Sequence, residues 1–571
     1  MTSPAAKPAN GNRAGETTLS SPLRADARRV HLYDTTLRDG TQCEGISYTL
    51  EDKLRIAEYL DLFGVGFIEG GWPGSNPKDV EFFARAKDRH WKNALITAFG
   101  STRHAGNAPE ADPNLKALLE AHTPVCTLFG KSWTMQVEDV LRTSLEQNLK
   151  MIEDSVAFLV SEGKRVVYDA EHFFDGYSAD SGYAVETLRA AVRGGAEVVV
   201  LCDTNGGNLP WRIEEVAREV LASLDGFPLG IHAHDDTGCA VANSVAAVRA
   251  GARHVQGTIN GYGERCGNAN LCTILANLEL KLDLRCVVKE RLAQLSELSR
   301  FVADVANVMP NEHAPYVGRS AFAHKGGVHV AAMRRNSDSY QHVAPEVVGN
   351  HMRVVVSELS GRGNVLSKAE ELGLDLGDGA EVEALRLIKE SEARGLSYES
   401  AEASVALVIQ RRNPNWLPFF QVLDYQVSVG KRRGSATYAE AVVKVQVGEQ
   451  VLHTAAEGNG PVSALDAALR KALTPVYPAV KNIHLTDYKV RILDSSYATR
   501  ATTRVLIDSR NEISAWSTIG ASSNIIEASL HALVDSIEYG LMQADVSPFS
   551  RTGREDTLGR FEVLRKPLGA V

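Results

Sequence analysis

The stretch EVVVLCDTNGGNLPWRIEEVAREVLASLDGFPLGIHAHDDTG, residues 197–238, decides how the chain folds. Two β-rich runs, EVVVLCDT (197–204) and PLGIHAHD (228–235), flank a helix-like segment, so the unit reads strand, helix, strand. The same order recurs outward from it. VHLYDTTL (30–37), GFIEGG (66–71), NALITAFG (93–100), TPVCTLFG (123–130) and RVVYDAEH (165–172) precede it, and HVQGTING (254–261) follows. The segments between are helix-like. In TLEDKLRIAEYLDLFG (49–64), Leu54, Ile56, Leu60 and Leu62 sit near helical spacing, as for a core-facing stripe. Alternating strand and helix signals imply a parallel sheet with helices outside it. Eight such units between Val30 and Leu282 fit an α/β fold of the closed (β/α)8 TIM-barrel type. An open doubly wound sheet is the runner-up. AAVRGGAEVVVLCDTNG (190–206) echoes AAVRAGARHVQGTING (246–261): each is a helix end, a glycine cap and the next strand.

Beyond the barrel the pattern changes. Residues 1–27 are rich in Ala, Ser, Pro, Gly and Asn and are expected to form a disordered tail, an organelle transit peptide being the lesser alternative. The barrel is assigned to residues 28–290 and helical linker subdomains to 291–425. A C-terminal α+β regulatory domain is assigned to 426–545, and a tail to 546–571. Within the C-terminal domain, residues 438–473 and 501–541 each read as two strands, a turn and a helix, which makes a pseudo-duplicated ββα unit.

The 571 residues are 44% hydrophobic and 23% charged, enough apolar side chains for more than one core. With 71 acidic against 61 basic residues the formal charge is −10, which argues against a nucleic-acid partner. Mean hydropathy is −0.16 and no run approaches the ~18 apolar residues a membrane span needs. The seven cysteines (Cys43, Cys126, Cys202, Cys239, Cys266, Cys272 and Cys286) are odd in number and form no CxxC pair. They point to buried thiols in a reducing, cytoplasmic compartment rather than to disulfides or a Cys-zinc site.

In a β/α barrel the working residues sit where strands end. The seventh run holds His232 and His234, two apart and therefore on one face of a strand. Paired neutral imidazoles suit a divalent metal. The first run leads into Arg38-Asp39, where Asp39 can supply a carboxylate oxygen and Arg38 would meet a substrate carboxylate or keto oxygen. After the eighth run, GYGERCGNAN (261–270) offers Asn268 as a fourth ligand in a loop dense in glycine. Glu171 ends the fifth run as a carboxylate beside the site. Thr204 ends the sixth and can donate a hydrogen bond to a substrate carboxylate; Glu69 ends the second and could line the pocket. Further on, AHKGGVH (323–329) places His329 in a glycine-rich loop, with Tyr340 eleven residues later as a proton relay.

Taken in order, these motifs resemble the metal-dependent metallolyase branch of TIM barrels that contains the isopropylmalate, homocitrate and citramalate synthases. The resemblance is carried by LRDGTQ (37–42), Glu171, His232/His234 and GERCGN (263–268). IEGGWPGSNPKD (68–79), FGKSW (129–133), DAEHFFDGY (169–177) and VSELSGRGNV (356–365) look like the citramalate synthase subgroup. One departure is WTMQVEDVL (133–141), where the family would place a histidine near Gln136.

The resemblance implies that Asp39, His232 and His234, with Asn268, hold Mg2+ or Mn2+, Zn2+ being a further candidate. It implies that Arg38 and Thr204 hold a 2-oxo acid, and that His329 with Tyr340 handles the acetyl proton with Glu171 assisting. The expected reaction is acetyl-CoA with pyruvate to (R)-citramalate, inhibited by isoleucine, in a homodimer with no membrane partner. A 2-isopropylmalate synthase using 2-oxoisovalerate is the close alternative. A barrel hydrolase of the amidohydrolase type also carries HxH, but on its first strand. A decayed barrel serving as an amino-acid sensor is disfavoured by the complete donor set. The reading requires Asp39 to lie beside His232 and His234 in space.

Overall fold

This computed structural model describes Asp26 and residues 28–374, 376, 379–431, 433, 437–493, 501–544 and 546–548. The expected tails, 1–27 and 546–571, lie outside the described residues save for Asp26, Val546 and the two residues after it.

All eight β-rich runs become strands of one closed barrel. They are β1 (His31–Asp34), β2 (Phe67–Gly71), β3 (Leu95–Ser101), β4 (Val125–Lys131), β5 (Arg165–Glu171), β6 (Val198–Asp203), β7 (Leu229–Ala233) and β8 (His254–Gly257). Every neighbouring pair is parallel, and β8 closes on β1 with His254 opposite His31 and Gly257 opposite Asp34. The alternation dictates two buried layers. Tyr33, Phe67, Val125, Val167, Val198, Val200 and Cys202 point inward and fill the barrel's lower core. The intervening residues face the outer helices and join the larger core with Leu54, Ile56, Leu188 and Ile213.

Helix Leu50–Phe63 shows how local signals set each unit. Thr49 and Asp52 form a reciprocal cap at its start, and Gly64 ends it with φ of 102°. Leu54, Ile56 and Leu60 are buried as expected, but Leu62 is 47% exposed. Two residues past Leu60 is about 200° around a helix, so Leu62 turns to solvent and Phe63 takes the core position.

The described chain divides into two compact units. The first runs to Phe322 and includes Val343–His351; the second holds Ala323–His342 and the chain from Met352 on. In the second, β9 (Ala323–His324) pairs with β10 (Arg353–Val354). Helices Arg362–Glu371, Ala380–Ala393 and Glu402–Gln410 pack around Val365, Ile388 and Val405. Two antiparallel sheets follow: β11 (Gln421–Lys431), β12 (Thr437–Val447) and β13 (Gln450–Gly458), then β14 (His484–Ile492), β15 (Thr503–Arg510) and β16 (Ala515–Ser522). Each sheet is followed by a helix, Pro461–Leu473 and Ile525–Gln543, and both halves share one core. The internal repeat is present, and each ββα unit gains a preceding edge strand, β11 or β14.

All seven cysteines are free. Cys126, Cys202, Cys272 and Cys286 are buried as expected, whereas Cys266 is exposed on the loop after β8. Among the described residues no helix is long and apolar enough to cross a membrane.

Candidate active site

The site is built at the C-terminal ends of the strands. After β1 the chain tightens into a 3-10 turn, Asp39–Gln42. The Asp39 amide donates to Thr35 Oγ1 at 3.3 Å and the Gly40 amide to the Thr35 carbonyl at 3.0 Å, which turns Asp39 into the barrel mouth. At the end of β7, His232 and His234 stand with their Nε2 atoms 3.3 Å apart. Asp39 Oδ2 lies 3.6 Å from His232 Nε2 and 4.0 Å from His234 Nε2. All three donor atoms fall within 4.8 Å of one another, and all three residues are buried.

The surroundings prepare these atoms for a cation. His232 Nδ1–H donates to Gln256 Oε1 at 2.9 Å, and Gln256 Nε2 donates to Asp169 Oδ1 at 2.8 Å. The relay directs the His232 proton to Nδ1 and leaves Nε2 with a lone pair toward His234 and Asp39. Burial, and for His234 the neighbouring His232, lower both imidazoles, His234 to about 4, so both are neutral at physiological pH. Burial alone would raise Asp39, but the Arg38 guanidinium and the imidazoles hold its carboxyl at about 2. Asn268 Nδ2 donates to Asp39 Oδ1 at 2.9 Å, while Asn268 Oδ1 is buried without a partner. Three neutral or anionic donors converging with a spare buried amide oxygen fit a divalent metal.

Asn268 is delivered by a loop that only glycine allows. A Cβ at Gly263 would lie 2.2 Å from Asn268 Nδ2, and Gly267 holds φ of +101°. Arg265 anchors the same loop. Its Nε and Nη2 donate to the two Asp236 oxygens at 2.7 and 2.9 Å, and Nη2 also to the Thr204 carbonyl at 2.8 Å.

Arg38 donates through Nε to Glu69 and through Nη1 to Asp39 at 3.1 Å, and its guanidinium lies 3.8 Å from the centroid of the Phe99 ring. Glu69, fully buried, also accepts from Tyr33 and, at 2.6 Å, from Thr35. Its part is therefore to orient Arg38. Trp72 and Phe129 pack on Phe99 with ring centroids 5.8 and 5.2 Å away, an aromatic wall beside the guanidinium.

Thr204 Oγ1 accepts from the His172 amide at 2.8 Å and keeps its own O–H to donate. Glu171 pairs with Lys131 at the end of β4. A separate cavity of about 110 Å³ opens at the ends of β3 and β4, bordered by Ser101, Arg103, His104, Phe129, Lys131 and Met151 and by none of the residues around Asp39. The segment after β4 forms a π-helical turn, Gln136–Leu141.

His329 and Tyr340 belong to the second unit, where their rings stack with centroids 4.1 Å apart. Their contact is face to face rather than a hydrogen bond, and both are exposed.

Asp39, His232, His234, Asn268 and Arg38 are thus brought together, with Glu171 and Thr204 on neighbouring strand ends. Gln256, Asp169 and Arg265, which support the site, and Lys131, which pairs with Glu171, were not singled out from the sequence. The inward parity of β4 and β8 was the available signal for Lys131 and Gln256, since each sits two residues from another inward position.

Comparison with known proteins adds three matches along the chain. Residues 29–302 match the HMGL-like family, 316–395 the homocitrate synthase post-HMGL domain-like family, and 399–541 the LeuA allosteric (dimerisation) domain. An (R)-citramalate synthase of Geobacter sulfurreducens is 53% identical over 519 residues, covering 90% of this chain and 98% of its own length. That of Synechocystis sp. is 54% identical over 523 residues, covering 89% and 96%. A probable 2-isopropylmalate synthase of Methanopyrus kandleri is 30% identical over 510 residues, covering 89% and 98%.

Proposed function

The chain belongs to the (R)-citramalate synthase family of HMGL-like barrel enzymes, and from that premise we propose that it joins acetyl-CoA, pyruvate and water into (R)-citramalate and CoA. It is a condensing acyltransferase. The acetyl methyl loses a proton, its carbon bonds to the keto carbon of the 2-oxo acid, the keto oxygen gains a proton, and water cleaves the thioester. The observation that carries the reading is the buried Asp39–His232–His234 cluster beside Arg38 at the mouth of a closed barrel.

Asp39, His232 and His234 would hold a divalent ion with Asn268 beside them, and Gln256 would keep His232 in the ligating tautomer. When bound, the ion (Mg2+ or Mn2+, with Zn2+ as the further candidate) supplies Lewis-acid polarisation of the keto carbonyl. Arg38 is oriented by Glu69 and Asp39 and keeps three of its five N–H donors for the oxygen that becomes negative, a preorganised electrostatic stabilisation. Thr204 donates to the 2-oxo acid. His329 with Tyr340 takes the acetyl proton, a weak acid that needs a positioned base, and Glu171 assists. The residues matching the LeuA allosteric (dimerisation) domain bind an amino-acid end product, isoleucine, and pair two copies into a homodimer. The enzyme works in the cytoplasm.

Pyruvate and 2-oxoisovalerate differ by two methyl groups, and each added carbon is worth only about 1–3 kcal/mol of discrimination in an apolar pocket. The identity of 53% to a citramalate synthase against 30% to an isopropylmalate synthase favours pyruvate. Steady-state CoA release with each acid, with and without isoleucine, tests this. Preference for pyruvate with inhibition by isoleucine is expected. Turnover of 2-oxoisovalerate alone would overturn the substrate assignment, and inhibition that persists after removal of the residues beyond Gly430 would overturn the regulatory one.

A further inference from the structure

A 2-oxo acid brings a carboxylate into the barrel mouth as well as the keto group that the metal site and Arg38 address, and a further positive charge on the rim would favour it. Arg38 is partly committed. Its Nε serves Glu69, its Nη1 serves Asp39, and one face lies 3.8 Å from the Phe99 ring centroid. Two carboxylates already offset its single charge. Thr204 is uncharged. Two further cations stand at the strand ends beside these residues: Arg265, bound to Asp236 and to the Thr204 carbonyl, and Lys131, paired with Glu171 alone.

Its position follows from strand parity. Val125 belongs to the inner core of the barrel, so Thr127, Phe129 and Lys131 lie on the same inward face of β4. Val167 belongs to that core too, which puts Asp169 and Glu171 inward on β5. The register sets Lys131 opposite Glu171 and Phe129 opposite Asp169. On β6, Val198, Val200 and Cys202 are inward, and Thr204 follows in phase. Lys131, Glu171 and Thr204 therefore sit along the upper rim of one wall, above the layer that holds Asp169.

The Lys131 ammonium pairs with Glu171, and its side chain retains 16% exposure at the opening. An ammonium has three N–H donors, more than one carboxylate contact occupies. Lys131 also borders a separate cavity of about 110 Å³ over β3 and β4, whose other walls include Arg103, His104, Leu141 and Met151 and none of Arg38, Glu171 or Thr204.

We propose that Lys131 is a substrate-binding residue that grips the carboxylate of the 2-oxo acid, opposite Thr204 across Glu171. The proposal rests on the reaction assigned above. Lys131 thereby sets the acid's orientation, so the keto group turns toward Arg38 and Asp39 and the small alkyl group away from the charged rim.

The test measures equilibrium binding of pyruvate and of its uncharged methyl ester to the full chain loaded with Mn2+, by titration calorimetry. The variants are Lys131→Met and Lys131→Arg, each made alone and with Glu171→Gln. The second background removes the carboxylate that the first would leave unpaired. Pyruvate affinity is expected to fall roughly 10- to 100-fold in Lys131→Met on both backgrounds, the size of one charge-assisted hydrogen bond. Lys131→Arg should recover most of that loss, and the methyl ester should bind wild type and Lys131→Met alike. Pyruvate affinity within threefold of wild type, or an ester that weakens as much as the acid, overturns the role of Lys131. Lys131→Gln replaces the methionine variant if that variant fails to fold. Wild-type enzyme that binds 2-oxoisovalerate but not pyruvate overturns the assigned substrate while leaving the Lys131 comparison to be read with that acid.

Discussion

At the scale of single residues, His234 carries the sharpest consequence. Its imidazole is buried and neutral, 4.0 Å from Asp39 Oδ2 and 3.3 Å from the His232 ring. It lies just past the end of β7, where its backbone N–H donates to the Asp203 carbonyl at 3.2 Å, a bond that does not depend on the side chain. His234→Ala should therefore weaken Mn2+ binding by two orders of magnitude or more, as roughly expected for a lost metal ligand next to the 10- to 100-fold cost of a supporting residue. The thermal midpoint should change little in the metal-free protein. Calorimetric metal titration beside a melting curve checks both, and unaltered metal affinity would remove His234 from the ligand set. The pairing of His232 with His234 was legible from spacing alone, because a strand repeats every two residues. The Gln256–Asp169 relay behind His232 was not, because it spans β5 and β8, which are far apart in sequence.

At the scale of elements, the loop after β8 and the barrel floor make separate predictions. Gly263→Ala would set a Cβ 2.2 Å from the amide nitrogen of Asn268. Asn268 must then move away from Asp39, so metal affinity should drop about tenfold or more while the barrel stays folded. Metal titration of the variant beside its circular dichroism spectrum decides the matter.

On the floor, His254 is buried with both ring nitrogens unpartnered, and its ring centroid lies 5.2 Å from Tyr33 and 5.4 Å from Phe67. Burial, with His31 beside it, lowers its pKa to about 3, against an ordinary value of 6.5. The unfolded chain therefore takes up this proton first as pH falls. Stability is fully present above about 6.5 and is lost progressively toward 3, at up to about 1.4 kcal/mol per pH unit. His254→Phe keeps the aromatic contacts and removes the titration. Its urea midpoint should fall less than that of wild type between pH 6 and pH 4. Equal slopes would show that the ring titrates freely in the folded state.

Elements also show where sequence reading succeeds and where it stops. The eight barrel strands were legible because each is a compact run with buried faces, as in VVVLCD, where all six residues are buried. The edge strands β11 and β14 were not, although Tyr425, Val427 and Val429 and then Tyr488, Val490 and Ile492 alternate with polar residues, because most residues of both strands stay exposed and the alternation is short. Leu62 was misplaced for the opposite reason: an apolar residue near the right spacing can still fall outside the buried stripe.

At the scale of the molecule, the second unit is tied together by charge as well as by its cores. Arg411, beyond the helix Glu402–Gln410, donates to Asp535 at 2.7 Å and to Glu538 on the last helix. Ser404 Oγ donates to Asp535 at 2.9 Å and accepts from the Ile519 amide at 3.1 Å. Burial opposes the charge of Arg411, yet the two carboxylates hold its pKa above the ordinary value. Arg411→Met would leave Glu538 buried without its partner. Breaking such a pair costs about 3–5 kcal/mol, so the second unit should unfold at lower denaturant while the barrel's own transition is unmoved. Denaturant titration followed separately in each unit checks this, and a single unshifted transition would mean that the cluster is solvated or already compensated.

Composition, periodicity and motif order by themselves pointed to a closed eight-stranded barrel and a repeated C-terminal domain, and offered Asp39, His232, His234 and Asn268 as candidate ligands. These follow from local rules: strand and helix periods, glycine at strained turns, and histidines two apart on one face. Tertiary structure alone decided that Glu69 and Asp39 occupy Arg38, that Gln256 sets the His232 tautomer, and that Lys131 stands at the rim beside Glu171. Barrel closure and strand register create those contacts, and both depend on how distant segments pack rather than on any one stretch of the chain.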